Sequence, residues 1–540
     1  MRTTTRWHVT VPATALSFVL LVAALVFPFS ASAAFATATE PINGGGSTWV
    51  ALAIQQWQAD VAREGLTVNF QSVGSTAGRD GYINGTYLFG ASEIPFQPIY
   101  CSDPALPPNN PNNSCTDEQS EAAARPYLYL PDVAGGTSLL YNLQIDGQRV
   151  TNLRLDPTTL TRIFTGVITN WDNPEIAADN PGLQLPNLHI TPVVRSDGSG
   201  TSYQFTAFMA YKDAADWTNY CHSQGYPGNP CPPTSQYPAA SGFVAVYGSD
   251  GIANYVSQPY NNGSIGYAEA AYGKAYAVPL VSLKNQSGQY VQPTAVNVAV
   301  ALTKAIINAD HTQNLYGVYS NPDPRAYPMS SYSYMIVPTK LTGPFTDDAQ
   351  GATLSRFILY YLCQGQQEAA PLGYSPLPPN LVQLGFSVND AIPGHATPPP
   401  IDQCNDPTIT DNFLGANGIG TPQVNVPGIK NPTSSGGAGS SSSSTRRQAA
   451  SNAKSGSRPS STSKGSLTGP GRGGQAGTVL AVASAKSVDF GHQFRTESIG
   501  LAILLTAALV GVVAGPPWIM DRRRRRHPAE EDLPSFVDLR

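Results

Sequence analysis

The 540-residue chain carries 31 Lys and Arg against 36 Asp and Glu, a formal net charge of -5, and only 12% of its residues are charged. Such a balance supplies no broad positive field for nucleic acid, so recognition of any anion must come from local dipoles and single cations. Six cysteines without a Cys-x-x-Cys pair and seven unclustered histidines form neither a zinc-ligand pattern nor a triad-like grouping, and no metal or other cofactor is expected.

At the N-terminus, Arg2 and Arg6 precede an apolar run from Ala13 to Phe29 and the small-residue pattern Ala31-Ser32-Ala33. Together they predict a cleavable secretory signal over residues 1–33. Next, Gly44-Gly45-Gly46-Ser47-Thr48-Trp49 leads into Ile54, Trp57 and Val61 at helical spacing, which puts the Thr48 hydroxyl and the Trp49 amide at a helix start. The alternating Val68-Asn69-Phe70-Gln71 reads as a strand running into Gly74-Ser75-Thr76-Ala77-Gly78, a polar turn before a second helical pattern, with Ser75 as its candidate ligand. Phe89-Gly90-Ala91-Ser92 ends another strand, and Glu93 stands just past it.

Cys101 and Cys115 flank a Pro/Asn-rich loop, Cys221 and Cys231 flank another, and Cys363 and Cys404 remain as a longer-range pair. Three sequential disulfides in an oxidising compartment are the expected pairing. Between these cysteines lies the segment with most chemical content, in which Val193-Val194 runs into Arg195-Ser196-Asp197-Gly198-Ser199-Gly200-Thr201-Ser202. Phe205, Phe208 and Met209 then recur at helical spacing, so the amides of Ser199, Gly200 and Thr201 fall at a helix N-terminus, where backbone N–H groups and dipole favour negative charge. Arg195 adds a forked, permanently charged donor suited to a tetrahedral oxyanion.

Residues 431–487 are dominated by Ser and Gly, a composition that cannot bury a core and behaves as a flexible tether with a reach of roughly 40 Å. Ser498 to Met520 is almost continuously apolar and long enough to span a bilayer, and Arg522 to Arg526 follow at once. By the positive-inside rule, residues 521–540 are a cytoplasmic tail and the body of the chain is extracytoplasmic.

Glu93 makes chemical sense of these anion-seeking turns. Monohydrogen and dihydrogen phosphate still carry a proton near neutral pH and can donate it to a carboxylate, whereas fully ionised sulfate would meet only repulsion. The carboxylate is therefore expected to act as a selectivity filter.

On these residues the chain resembles the PstS-type phosphate-binding proteins, extracytoplasmic receptors of phosphate ABC importers. The likeness rests on Gly44 to Trp49, Val73-Gly74-Ser75, Phe89 to Glu93 and Arg195 to Ser202, with further echoes at Ile163 to Gly166, Asn170-Trp171-Asp172, Asp250 to Ala253 and Gly263 to Glu269. The resemblance implies an α/β fold of the type II periplasmic-binding-protein arrangement, two lobes of mixed sheet flanked by helices. Lobe I would take residues 34–138 and 284–400, lobe II residues 139–283, and residues 401–430 a C-terminal extension, with crossings near Gly136 to Tyr141 and Val278 to Leu283.

It also implies inorganic phosphate as ligand, ABC permease subunits as partners, a monomer, and no nucleic acid. Thr48, the Trp49 amide and Ser75 would donate from one lobe, with Glu93 as the proton acceptor. Arg195, Ser199, Gly200 and Thr201 would close from the other, with Asp197 holding the Arg195 guanidinium from behind. Two departures stand out, since the family usually has Asp at the position of Glu93 and Phe at that of Trp49. A tethered sensor or scavenger uncoupled from transport, or a receptor for another oxyanion, is also compatible with this pattern. A hydrolase is not expected, because Gly198-Ser199-Gly200 lacks the Gly-x-Ser-x-Gly spacing of a nucleophile elbow.

Overall fold

Glycine-punctuated apolar stretches fold into an open mixed sheet in the computed structural model, which describes residues 39–98, 100–101, 115–411, 413 and 419–431. The expected signal, all but the first residue of the Ser/Gly tether, the apolar segment Ser498 to Met520 and the basic tail lie outside the described residues. Among the described residues no helix is long and apolar enough to cross a membrane.

The principal strands are β1 (Ile42–Gly46), β2 (Val68–Ser72), β3 (Phe89–Ser92), β4 (Tyr127–Asn142), β5 (Thr191–Arg195), β6 (Val244–Val246), β7 (Ser264–Glu269) and β8 (Ser330–Pro338). They lie in the order β6-β5-β7-β4-β8-β3-β1-β2. Parallel pairs at both ends, β1 with β2 and β3 and β5 with β6 and β7, flank antiparallel pairing in the middle. The two lobes therefore do not own separate sheets as the sequence reading expects. The 16-residue β4 joins them, its Tyr127 to Gly136 portion pairing with β8 and its Thr137 to Asn142 portion with β7.

The chain returns beside the same strand. Leu140 bridges to Leu280, the Val281 amide donates to the Leu139 carbonyl at 2.9 Å, and the Tyr141 amide donates to the Pro279 carbonyl at 3.3 Å. Two adjacent stretches of extended backbone thus connect the lobes, the geometry of a two-stranded hinge.

Helices α1 (Ala51–Ala62), α2 (Ser75–Ile83), α3 (Glu118–Ala122), α4 (Gly200–Lys212), α5 (Gly248–Ser257), α6 (Ala270–Ala275) and α7 (Asp348–Leu362) cover the sheet. Helix α1 forms because Ile54, Trp57 and Val61 share one face, and all three are buried. Trp57 stacks on Tyr361 of α7 with ring centroids 5.0 Å apart. In the other lobe Phe205, Phe208 and Met209 anchor α4. Four of these helices, α1, α2, α4 and α5, begin just past the carboxyl ends of β1, β2, β5 and β6, and their N-termini meet where the lobes face each other.

Disulfides join Cys221 to Cys231 and Cys363 to Cys404, two of the three expected pairs. Cys101 and Cys115 stand opposite each other in a short antiparallel ladder, so the backbone register agrees with the third. The described residues 419–431 pack onto the first lobe. Gln423 and Val424 pair with Ile306 and Ile307, and the Asn380 amide donates to the Pro422 carbonyl at 2.9 Å.

Candidate anion-binding site

Five turns converge at the meeting of the lobes. From the first lobe come Ser47 and Thr48 after β1, Ser75 at the start of α2 and Glu93 after β3. From the second come Arg195 at the end of β5, the N-terminus of α4, and Ser249 in the first turn of α5. Every one of these side chains is buried.

Glu93 is fully buried rather than solvated. Its carboxylate accepts from the Ser47 hydroxyl and from Ser75 Oγ at 2.7 Å. Its backbone carbonyl takes Gln204 Nε2 of α4 at 3.1 Å and Gln313 Nε2 at 3.2 Å. Burial raises its pKa, opposed by the Ser47 and Ser75 hydrogen bonds and by the charge of Arg195.

The extra methylene of Glu relative to Asp has room because α4 starts with glycine. A Cβ on Gly200 would lie 2.2 Å from Glu93 Oε2 and 2.9 Å from Ser75 Oγ. Gly74 is needed for another reason. Its φ of +88° belongs to the left-handed side of the map, and a side chain there would run into Asp197 Oδ2 at 2.5 Å.

Arg195 is held from behind. Its Nε donates to Asp197 Oδ1 at 2.7 Å and its Nη2 to Asp197 Oδ2, while Nη1 reaches Ser249 Oγ at 3.3 Å. Asp197 Oδ1 also accepts the Gly248 amide at 3.0 Å, which ties the arginine clamp to the start of α5. Asp197 thus joins the Arg195 guanidinium to the first turn of α5.

Ser199 is the N-cap of α4, its Oγ accepting from the Ser202 amide at 3.1 Å, and its own amide donates to the Ser235 carbonyl at 3.0 Å. That leaves the next amides, Gly200 and Thr201, as the ones in the first turn without an intrahelical acceptor. The Thr201 hydroxyl donates to Glu269 Oε1 at 3.2 Å. Thr48 crosses the lobes, with Oγ1 3.0 Å from Ser249 Oγ and accepting the Ser249 amide at 3.1 Å, and the Tyr272 hydroxyl donates to the Thr48 carbonyl at 2.8 Å. A further interlobe bond joins the Thr76 amide to the Gly198 carbonyl at 3.2 Å.

The Trp49 amide departs from expectation. It donates to Ser47 Oγ at 2.9 Å, closing its own turn, because Ser47 sits two residues back with its hydroxyl under the helix start. The indole packs against Tyr374 at 5.4 Å between centroids, and its size is taken up by the glycine at position 135, whose Cβ would come within 2.4 Å of the ring.

Ser47, Ser249 and Glu269 escaped the sequence reading. Ser47 and Ser249 each follow a strand and a glycine and open a helix, so the rule that picked out Thr48 and Ser75 reaches them too. Glu269 closes the Gly263 to Glu269 stretch that shares in the resemblance, but a strand-end carboxylate by itself is a signal shared with many surface positions.

A buried arginine fork, helix-start amides and a ring of hydroxyls drawn from two lobes, faced by a buried carboxylate, define a two-lobed receptor for a small, partly protonated oxyanion. The family model for the PBP superfamily domain matches residues 31–364. A phosphate-binding protein PstS from Xylella fastidiosa is 32% identical over 348 residues, covering 64% of this chain and 84% of the relative. PstS from Haemophilus influenzae is 29% identical over 353 residues, covering 63% and 90%. A crystal structure of a phosphate-binding protein from Stenotrophomonas maltophilia aligns at a TM-score of 0.47 and 17% identity, over 71% of this chain and all of that one. The chain belongs to the PBP superfamily and, within it, to the PstS phosphate-binding proteins.

Proposed function

We propose that this chain binds inorganic phosphate outside the cytoplasm by closure of its two lobes and delivers it to an ABC permease. The observation that carries the reading is the pairing of opposites across the cleft. Arg195, locked by Asp197, and the Gly200 and Thr201 amides stand on one side, and Glu93 with Ser47, Thr48 and Ser75 on the other. Such a site rewards an anion that both accepts many hydrogen bonds and donates one. The PstS relatives named above carry phosphate binding in their names, which supports the same ligand.

In this reading the protein is a receptor and not an enzyme: no step needs a nucleophile, and the hydroxyls serve as donors. Phosphate would join the lobes, drawing the β4 and 279–283 hinge into its closed position, and the permease would read that closed face. The N-terminal signal and the apolar Ser498 to Met520 segment, followed by its arginines, support export and retention at the membrane by a C-terminal anchor. Membrane fractionation with alkaline extraction tests that part. Retention of the chain in the pellet is expected, and release of a truncation ending at residue 487.

The ligand is tested by titrating the intact chain with phosphate, arsenate and sulfate while following tryptophan fluorescence, since Trp49 lies directly beneath Ser47 and Thr48. Phosphate and arsenate should saturate the signal and sulfate should leave it unchanged. An equal response to sulfate would remove Glu93 as the filter.

A further inference from the structure

Glu269 ends β7 inside the same cleft, and nothing in the phosphate reading uses it. The side chain is 1% exposed; Oε1 accepts from the Thr201 hydroxyl, and Oε2 makes no hydrogen bond. An ionised carboxylate oxygen buried without a donor is costly, far more so than a neutral carboxyl in the same place.

The surrounding charge sharpens the point. Arg195 is the cation facing Glu269 and is already paired with Asp197, while the remaining acidic neighbour across the cleft is Glu93, itself buried. Tyr272 of α6 and Tyr374 also face it, and burial raises both of their pKa values, so they stay neutral. An anion added to this site would bring a further negative charge toward two carboxyls and one neutralised arginine.

Resting on the phosphate reading, we infer that Glu269 is a positioning residue that takes up a proton when the anion binds and, through Thr201, turns a hydroxyl toward the ligand. With Glu269 ionised, the Thr201 hydrogen is committed to Oε1. Once a proton from bulk buffer sits on Oε1, that oxygen donates to Thr201 Oγ1 and the Thr201 hydrogen is released to donate to the anion. One proton enters, none is lost, and the site's net charge becomes less negative by one.

The titration range suits this task. Burial first, and the charge of Glu93 after it, push the Glu269 pKa up to about 7, against opposition from its own amide, Arg195 and Ser249. Above that range the free protein holds Glu269 ionised, and binding must recruit the proton.

The test is titration calorimetry of the intact chain with inorganic phosphate at pH 8, in two buffers of different ionisation enthalpy, for the wild type and Glu269→Gln. Gln mimics the protonated acid and cannot take up a proton. The wild type should take up about one proton more per phosphate than the variant, and the variant's affinity should fall less than the wild type's between pH 6.5 and 8.5. Equal proton counts would overturn the inference while leaving phosphate binding intact. No binding heat in the wild type would overturn the phosphate reading itself. A measurement that needs no variant is the infrared difference spectrum of the wild type on adding phosphate at pH 8. A new carboxylic-acid C=O band is expected there, and its absence would refute the proton uptake.

Discussion

Arg195 and Glu93 divide the work at the scale of single residues, and each can be probed separately. Arg195→Ala removes a buried fork and leaves Asp197 and the Gly248 turn without their partner, so phosphate affinity should drop by about 2–5 kcal/mol, roughly thirtyfold to several thousandfold, in a calorimetric titration. Glu93 reaches Ser47 and Ser75 with the full length of its side chain, and an Asp on the same backbone would fall short by one methylene. Glu93→Asp should therefore lose the 2.7 Å bond to Ser75 and weaken phosphate binding by about 1–3 kcal/mol. Unchanged or tighter binding would show that the longer side chain is not what bridges this gap.

The candidate residues inside recognisable turns are legible from sequence because their chemistry and their local structure coincide. Strand, glycine, hydroxyl and helix start follow one another within a few positions at Thr48, Ser75 and Ser199. Glu269 was not legible, since its role depends on where β7 ends relative to Thr201, 68 residues away in the chain. The Trp49 amide has a local partner that the sequence does not announce, the Ser47 hydroxyl two residues back at 2.9 Å.

Among the elements, α2 carries Ser75 and is fixed by a fully buried ion pair. Arg79 Nε and Nη2 donate to Glu118 Oε2 and Oε1 at 2.7 and 3.1 Å, and Arg79 also donates to Ser92 Oγ and Thr76 Oγ1. Both partners have no exposed side-chain surface. Glu118→Gln should thus cost about 3–5 kcal/mol in a denaturant titration, because an uncompensated guanidinium is left in the core. Phosphate affinity should fall with it, since Arg79 ties α2 to the strand that leads to Glu93.

A second element-scale device is Asp406, which caps the turn at Pro407–Thr410 by accepting from the Thr408 amide at 2.6 Å, while its Oδ2 makes no hydrogen bond. Burial, the largest cause, raises its pKa to about 7 against the two Thr408 bonds. A carboxyl raised in the folded state holds a proton that the unfolded chain has lost between about pH 4 and 7. This contribution to stability is therefore full below that window, declines as pH rises through it and is gone above 7. The melting temperature should fall from pH 5 to pH 7.5, and Asp406→Asn should make that fall shallower. An identical slope in both proteins would contradict the assignment.

For the molecule as a whole, the fold class, the two lobes and the helix starts were readable from alternating strand and helix patterns. The sharing of one eight-stranded sheet was not. The pairing of Tyr127 to Asn142 passes from β8 to β7 at Gly136, where the resemblance expects a crossing, but which strands it pairs with on either side is set by long-range topology that the local sequence does not carry. That sharing matters for function. A strand common to both lobes, with the 279–283 return beside it, is the connection through which a closure of the proposed kind would have to run. Gln423 and Val424 attach to the strand at Ile306 and Ile307, and the Asn431 side chain accepts from the Val424 amide at 2.8 Å.

The account stands or falls on whether one anion touches both lobes at once, and a crystal structure of the chain grown with phosphate measures that directly. It should show a single phosphate held by Arg195 and the Gly200 and Thr201 amides from one side and by Ser75 and Glu93 from the other. A cleft without the anion, or phosphate bound by one lobe alone, would contradict it.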